Sequence, residues 1–210
     1  MIEAVCDGVQ LVVLAACLGL SLWRAYTSRG TAWLMLACFF SCMFLGNVNW
    51  LGYQVVFGET PRPSFIEDLS WTTGYLFLAL IAKQCDAARS PSPPVPVVWI
   101  PVVACAACCA FFIYIGGKPL MNIADSGLLA TVGFFAVRGL AAEGSEGLAH
   151  SRLFHGAMLA YVIAEEALWL SSCFLWPGEI VGAGPYIVFD YILTFVSAAV
   201  LACAWRYDGL

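Results

Sequence analysis

A chain of 210 residues that is 62% hydrophobic and 11% charged, with a mean hydropathy of +0.87, carries more apolar surface than a soluble domain of its size can bury. That composition marks an integral membrane protein. The formal net charge of −5 excludes the basic footprint that nucleic-acid binding requires. The opening MIEAVCDG carries Glu3 and Asp7 and no basic residue, so the first apolar run is expected to be retained and not cleaved as a signal peptide.

Apolar runs of about 20 residues predict seven spanning helices. They fall at roughly 8–25, 31–57, 64–84, 95–115, 119–139, 152–176 and 184–205. Turn-forming stretches separate them: Ser28 to Gly30, Gly58 to Pro63, Ser90 to Pro96, Gly116 to Pro119, Gly139 to Gly147 and Pro177 to Pro185. The expected fold class is an all-α polytopic membrane protein, a single seven-helix domain over 1–210 with no soluble domain. In the fourth helix, Ala104, Ala106, Ala107 and Ala110 read as a lipid-facing or close-packed surface, and Pro101 predicts a kink. Cys105, Cys108 and Cys109 have no histidine or second cysteine pair beside them. With Cys17, Cys38, Cys42 and Cys203 they read as small packing residues.

Basic residues set the expected orientation. Arg24, Arg29, Lys83, Arg89, Arg138, Arg152 and Arg206 fall on one side of the membrane, and only Arg62 and Lys118 on the other. That bias predicts the N-terminus outside and the C-terminus in the cytoplasm. The last helix contains no lysine, which excludes a retinal Schiff base there.

The polar residues inside the spans are the main functional signal, because ionisable groups at membrane depth are costly. On helix two, Asn47, Trp50 and Gln54 share a face, with Asn49 and Tyr53 beside them. Helix three carries Asp68, Trp71, Thr72 and Tyr75 at i, i+3, i+4 and i+7. Asp125 lies about 10 Å below Lys118 on helix five, with Asn122 one turn above it. Glu165 and Glu166, with Trp169 one turn further on, sit near mid-membrane on helix six, about 15 Å from Trp176. Asp190 lies about 9 Å below the outer start of helix seven. Five helices thus place these groups in the outer half, and a shared outward-facing cavity lined by acids and aromatic rings is expected. Carboxylates with cation–π faces suit an amine or other organic cation. The absence of histidine in the outer half argues against zinc, while a hard cation held by oxygens stays open.

Structural readings stand beside the functional one. Ser64 and Glu67 form an S-x-x-E capping box at the start of helix three. Trp71 and Trp176 fit an aromatic belt, and Asn47 and Asn49 fit interhelical hydrogen-bond glue. Glu165 and Glu166 point about 100° apart, so at most one faces the cavity centre. Buried carboxyl groups can be neutral hydrogen-bond donors or cation traps. His150 and His155 are five apart and share no helical face, and Glu143 to Glu146 reads as a solvated loop.

The run Gly46-Asn47-Val48-Asn49-Trp50-Leu51-Gly52-Tyr53, then Gly58, Pro61-Arg62-Pro63-Ser64 and Gly74-Tyr75, resembles the seven-to-eight-span membrane sensor regions of bacterial signalling proteins. Those regions are usually fused to diguanylate cyclase, histidine kinase or regulator domains. Their pattern is a G-D…W…Y segment, a short loop, P-x-P-S, an acidic residue and a later G-Y. The resemblance covers about thirty of the 210 residues. Asn47 stands where the family has aspartate. Glu67 matches the spacing from Ser64, and Asp68 matches the spacing to Gly74-Tyr75. The resemblance implies a signal-transducing module in a bacterial inner (plasma) membrane.

The expected function is therefore a sensor or receptor-like module, not an enzyme. Its site would be formed by Asn47, Trp50, Tyr53, Asp68, Trp71, Tyr75, Asp125, Glu165, Glu166, Trp169 and Asp190. The expected partners are membrane lipid, a small cationic or amine ligand, and a cytoplasmic or membrane signalling protein; no cofactor, metal or nucleic acid is expected. A cation- or proton-coupled transporter is the alternative, favoured by midplane carboxylates and disfavoured by an inner half nearly free of polar groups. An intramembrane hydrolase using Glu165 and Asp190, or Asp125 and Asp190, as acid and base is a third reading.

Overall fold

The computed structural model describes residues 2–58, 65–87, 96–141, 148–174 and 185–207. Among them are seven α-helices and no strand: α1 (Ile2–Ser28), α2 (Thr31–Phe57), α3 (Phe65–Ala87), α4 (Ile100–Gly116), α5 (Pro119–Ala141), α6 (Leu148–Ser172) and α7 (Pro185–Arg206). All seven contain stretches long and apolar enough to cross a membrane. Bilayer-depth apolar runs become helices because only a helix satisfies its own backbone hydrogen bonds where water is absent.

The helix ends follow local chemistry. α2 stops at Gly58, whose positive φ of 72° lets its N–H reach the Gln54 carbonyl at 2.9 Å. α6 stops at Ser172, four residues before the expected end. There the hydroxyls of Ser171 and Ser172 donate back to the Leu168 and Trp169 carbonyls, both at 2.7 Å. α1 starts six residues before the expected position. Glu3 and Asp7 interrupt the hydropathy but not the helix, and Asp7 is turned inward and buried. Pro101 does not kink α4. A 3₁₀ turn, Pro96–Trp99, precedes the helix and puts Pro101 in its first turn, where a missing N–H costs nothing. The expected capping serine, Ser64, lies outside the described residues, as do Trp176 and the Glu143–Glu146 stretch.

Short connections make neighbouring helices antiparallel, so α1, α3, α5 and α7 run one way and α2, α4 and α6 the other. Six of them close a ring in the order α1, α2, α3, α5, α6, α7, and α4 lies outside against α5 and α6. Ala104, Ala106, Ala107 and Ala110 accordingly face outward. The ring is filled by Leu36, Phe39 and Phe40 of α2, Leu78 and Ile81 of α3, Val132 and Ala136 of α5, Phe154 and Met158 of α6, and Val200 of α7. These follow i, i+3, i+4 spacing within each helix. Phe39 meets Tyr161 edge-on at 5.4 Å, which joins α2 to α6 through the centre.

Polar contacts run the length of α3 against α5. Lys118, in the turn just before α5, pairs with Asp68 at 2.7 Å; Thr72 donates to Asp125; and Arg138 pairs with Asp86 at 3.1 Å. All ten cysteines are free thiols, in agreement with a packing role. His155 is also part of the packing. It is fully buried on α6, pressed against Gly139 of α5.

A Cβ at Gly139 would lie 2.4–2.6 Å from three atoms of the His155 ring. Gly139→Ala is expected to destabilise the protein by about 1–3 kcal/mol, read as a lower thermal midpoint in detergent. Gly52→Ala, which meets no atom within 4 Å, serves as the control and should be neutral or gain up to about 1 kcal/mol.

Candidate functional site

A cavity of about 300 Å³ opens between α2, α3, α4, α5 and α6, at the end of the bundle where α3 and α5 begin. Its walls combine three indoles with three carboxyl groups. Trp50, Trp71 and Trp169 come from α2, α3 and α6; Asp68, Asp125 and Glu166 come from α3, α5 and α6. The indoles form a continuous row, with successive ring centroids 5.9 Å apart. This row depends on Gly46, since a Cβ there would lie 2.5 Å from Trp71 Nε1.

One edge of the cavity is the turn from α4 to α5. Gly117 and Lys118 both take positive φ (72° and 48°), which reverses the chain in two residues. Asn122 braces the turn by donating its side-chain amide to the Gly117 carbonyl at 2.7 Å. The turn presents Lys118 to the cavity and to Asp68. Lys118, Asn122, Ser126 and Ser172 are thus wall residues beyond the expected set. The Gly-Gly-Lys-Pro punctuation was the signal for Lys118; nothing local signals Ser126 or Ser172.

The adjacent glutamates separate as their 100° offset requires. Glu166 stands in the cavity wall, with the Cys105 and Cys108 thiols of α4 beside it. Neither of its carboxyl oxygens reaches hydrogen-bond geometry with a described donor. Glu165 instead turns into the core and is 4% exposed. Its Oε1 accepts from the Tyr75 hydroxyl and, at 3.1 Å, from Trp169 Nε1, while Oε2 has no partner among the described residues. Tyr161 completes the layer, its hydroxyl 3.6 Å from Met43 Sδ. Trp169 therefore belongs both to the cavity wall and to the hydrogen bonds beneath it.

The remaining expected site residues lie elsewhere. Tyr75 is buried below the cavity and reaches it only through Glu165 and Trp169. Asn47 donates to the Met43 carbonyl of its own helix at 2.9 Å. Tyr53 packs on Phe57, with ring centroids 4.6 Å apart, and is not in the wall. Asp190 is the largest departure from the expected convergence. It sits in the α1–α7 seam, where its carboxylate accepts from Cys6 Sγ at 3.0 Å and Gln10 Nε2 at 3.1 Å. α7 packs on α6 and α1, so Asp190, near the start of α7, faces a different neighbour from the expected one. The expected five-helix site thus loses α7 and gains α4.

Chemically, the cavity offers flat electron-rich faces and oxygen acceptors, with one ammonium already paired. Such a wall suits a cation that carries apolar substituents. No group of three or more His, Cys, Asp or Glu among the described residues is arranged to hold a metal ion. The chain matches no family model, no curated protein and no solved structure.

Tyr75→Phe leaves Glu165 Oε1 with one donor in place of two. A double-mutant cycle of Tyr75→Phe with Glu165→Gln, followed by thermal unfolding in detergent, is expected to give a coupling of about 1 kcal/mol. A coupling near zero would show that the hydroxyl and the carboxyl group do not act together.

Proposed function

We propose that this chain is a receptor-like membrane protein that binds a small organic amine in the indole- and carboxyl-lined cavity and passes the signal to a separate protein. The observation that carries the proposal is the wall itself: three indoles and three carboxyl groups against one ammonium, Lys118, which Asp68 already engages. Asp125 Oδ1 accepts from Thr72, which leaves Oδ2 for a ligand N–H. Glu166 supplies a second carboxyl group to the wall, its oxygens without a hydrogen-bond partner among the described residues. The charge bias of the loops supports an orientation with the cavity end outside, and so a ligand taken from beyond the cytoplasm. The resemblance of the α2–α3 segment to bacterial sensor regions supports signalling and a bacterial inner membrane.

Binding is favoured over transport because the cavity ends on a packed layer. Beneath it lie Tyr75, Tyr161, Phe39, Leu78 and Val132, all at most 1% exposed. A coupled transporter needs a route past this layer, and a receptor does not. Occupancy can instead act through Trp169, by shifting the balance between two packings of α6 against α3 for which the ligand has different affinity.

The test is a thermal-shift screen of the purified protein against organic amines, alkali and divalent cations, and organic anions. An aryl- or alkylamine is expected to raise the midpoint of the wild type. Glu166→Gln and Asp125→Asn should each weaken that response about tenfold or more in apparent affinity. Asp190→Asn, outside the cavity, should leave it intact. A response confined to anions, or one lost only in Asp190→Asn, would sink the proposal. For the orientation, a C-terminal green fluorescent protein fusion should fluoresce in cells and a C-terminal alkaline phosphatase fusion should stay inactive.

A further inference from the structure

We propose that the end of the bundle opposite the cavity holds a binding site for the phosphate of an anionic phospholipid, built on Arg24. Its guanidinium lies over two indoles from other helices: Cζ is 5.7 Å from the Trp33 ring centroid (α2) and 5.3 Å from that of Trp205 (α7). Trp23 stacks on Trp205 at 5.6 Å, and Trp33 meets Trp205 edge-on at 5.7 Å, so α1, α2 and α7 all contribute.

The arginine is held but not neutralised. Its Nε is closed off from solvent and finds no acceptor, and among the described residues no carboxylate pairs with it. The contrast with Arg138 and Lys118 is direct, since each has an aspartate within 3.1 Å. Indole faces attract a guanidinium while leaving its N–H edge free for an oxygen acceptor. Arg29 and Arg206 stand exposed at the same end. These described arginines add positive charge beside Arg24, and a phosphate matches the guanidinium fork with two parallel hydrogen bonds.

The apolar surroundings select a lipid over a free anion. Trp23 is 56% exposed, and Leu20 and Leu22 on the same helix are also open to the exterior of the bundle. A phospholipid satisfies both parts at once, its phosphate on Arg24 and its acyl chains along these side chains. Tryptophans at headgroup depth fit the same placement.

The test compares the purified full chain in phosphatidylcholine and in phosphatidylglycerol mixed micelles, reading the thermal midpoint and the lipid retained in native mass spectrometry. The expected result is a midpoint about 3 °C or more higher with phosphatidylglycerol, and one such lipid retained. Arg24→Gln should lose both effects, and Arg29→Gln should keep most of them. A loss of stability in Arg24→Gln that is equal in the two lipids would make Arg24 a structural cation only, and the proposal would fail. It would fail too if inorganic phosphate added to phosphatidylcholine micelles reproduced the rise. Should Arg24→Gln not fold, Arg24→Lys keeps the charge without the fork; an unchanged preference for phosphatidylglycerol in that variant would overturn the site.

Discussion

A carboxyl group that cannot reach water has to be met by donors from the protein, and Glu165 is where this constraint shapes the bundle most. The Tyr75 hydroxyl reaches it from α3 and the Trp169 indole from one turn along α6. These contacts hold α6 across the middle of the ring and not merely between α5 and α7. They also give the cavity its floor. Trp169 lines that cavity while its N–H is engaged below, and the indole row passes from it through Trp71 to Trp50.

Elsewhere in the bundle polar contacts choose which apolar helices become neighbours. Lipid tails are as apolar as leucine, so hydrophobicity alone gives one helix little reason to prefer another. α3 and α5 are matched by Asp68–Lys118, Thr72–Asp125 and Asp86–Arg138, which recur from one end to the other. α1 and α7 close the ring through Asp190 with Cys6 and Gln10. Each is modest in energy, but each excludes a wrong neighbour that would leave a polar group stranded in hydrocarbon.

The glycines and aromatic residues of the α2–α3 segment have a packing logic of their own in this chain. Gly46 makes room for Trp71, Gly74 receives the end of the Met43 side chain, Gly58 ends α2, and Tyr75 meets Glu165. Trp50 and Asp68 from the same segment stand in the cavity wall. Close helix contact and cavity building meet at Gly46, which brings α2 close to α3 and seats the Trp71 indole of the cavity wall.

Seven helices long and apolar enough to cross a membrane, and the position of each polar residue along its helix, were legible in the sequence, because hydropathy and helical rise are local properties. The i, i+3, i+4 spacing of Asp68, Trp71, Thr72 and Tyr75 also identified a face that is in fact turned inward. What only the tertiary structure decided was the direction each group faces once seven helices are arranged. Asp190 went to α1 and not to the cavity, and Glu166 rather than Glu165 entered the wall. Lys118 joined it from a two-residue turn, and α4 took a place in it from outside the ring. Rise along a helix sets depth by itself, but the neighbour at that depth depends on helix order around the bundle. Helices apolar on nearly every side leave that order to a few polar contacts far apart in sequence.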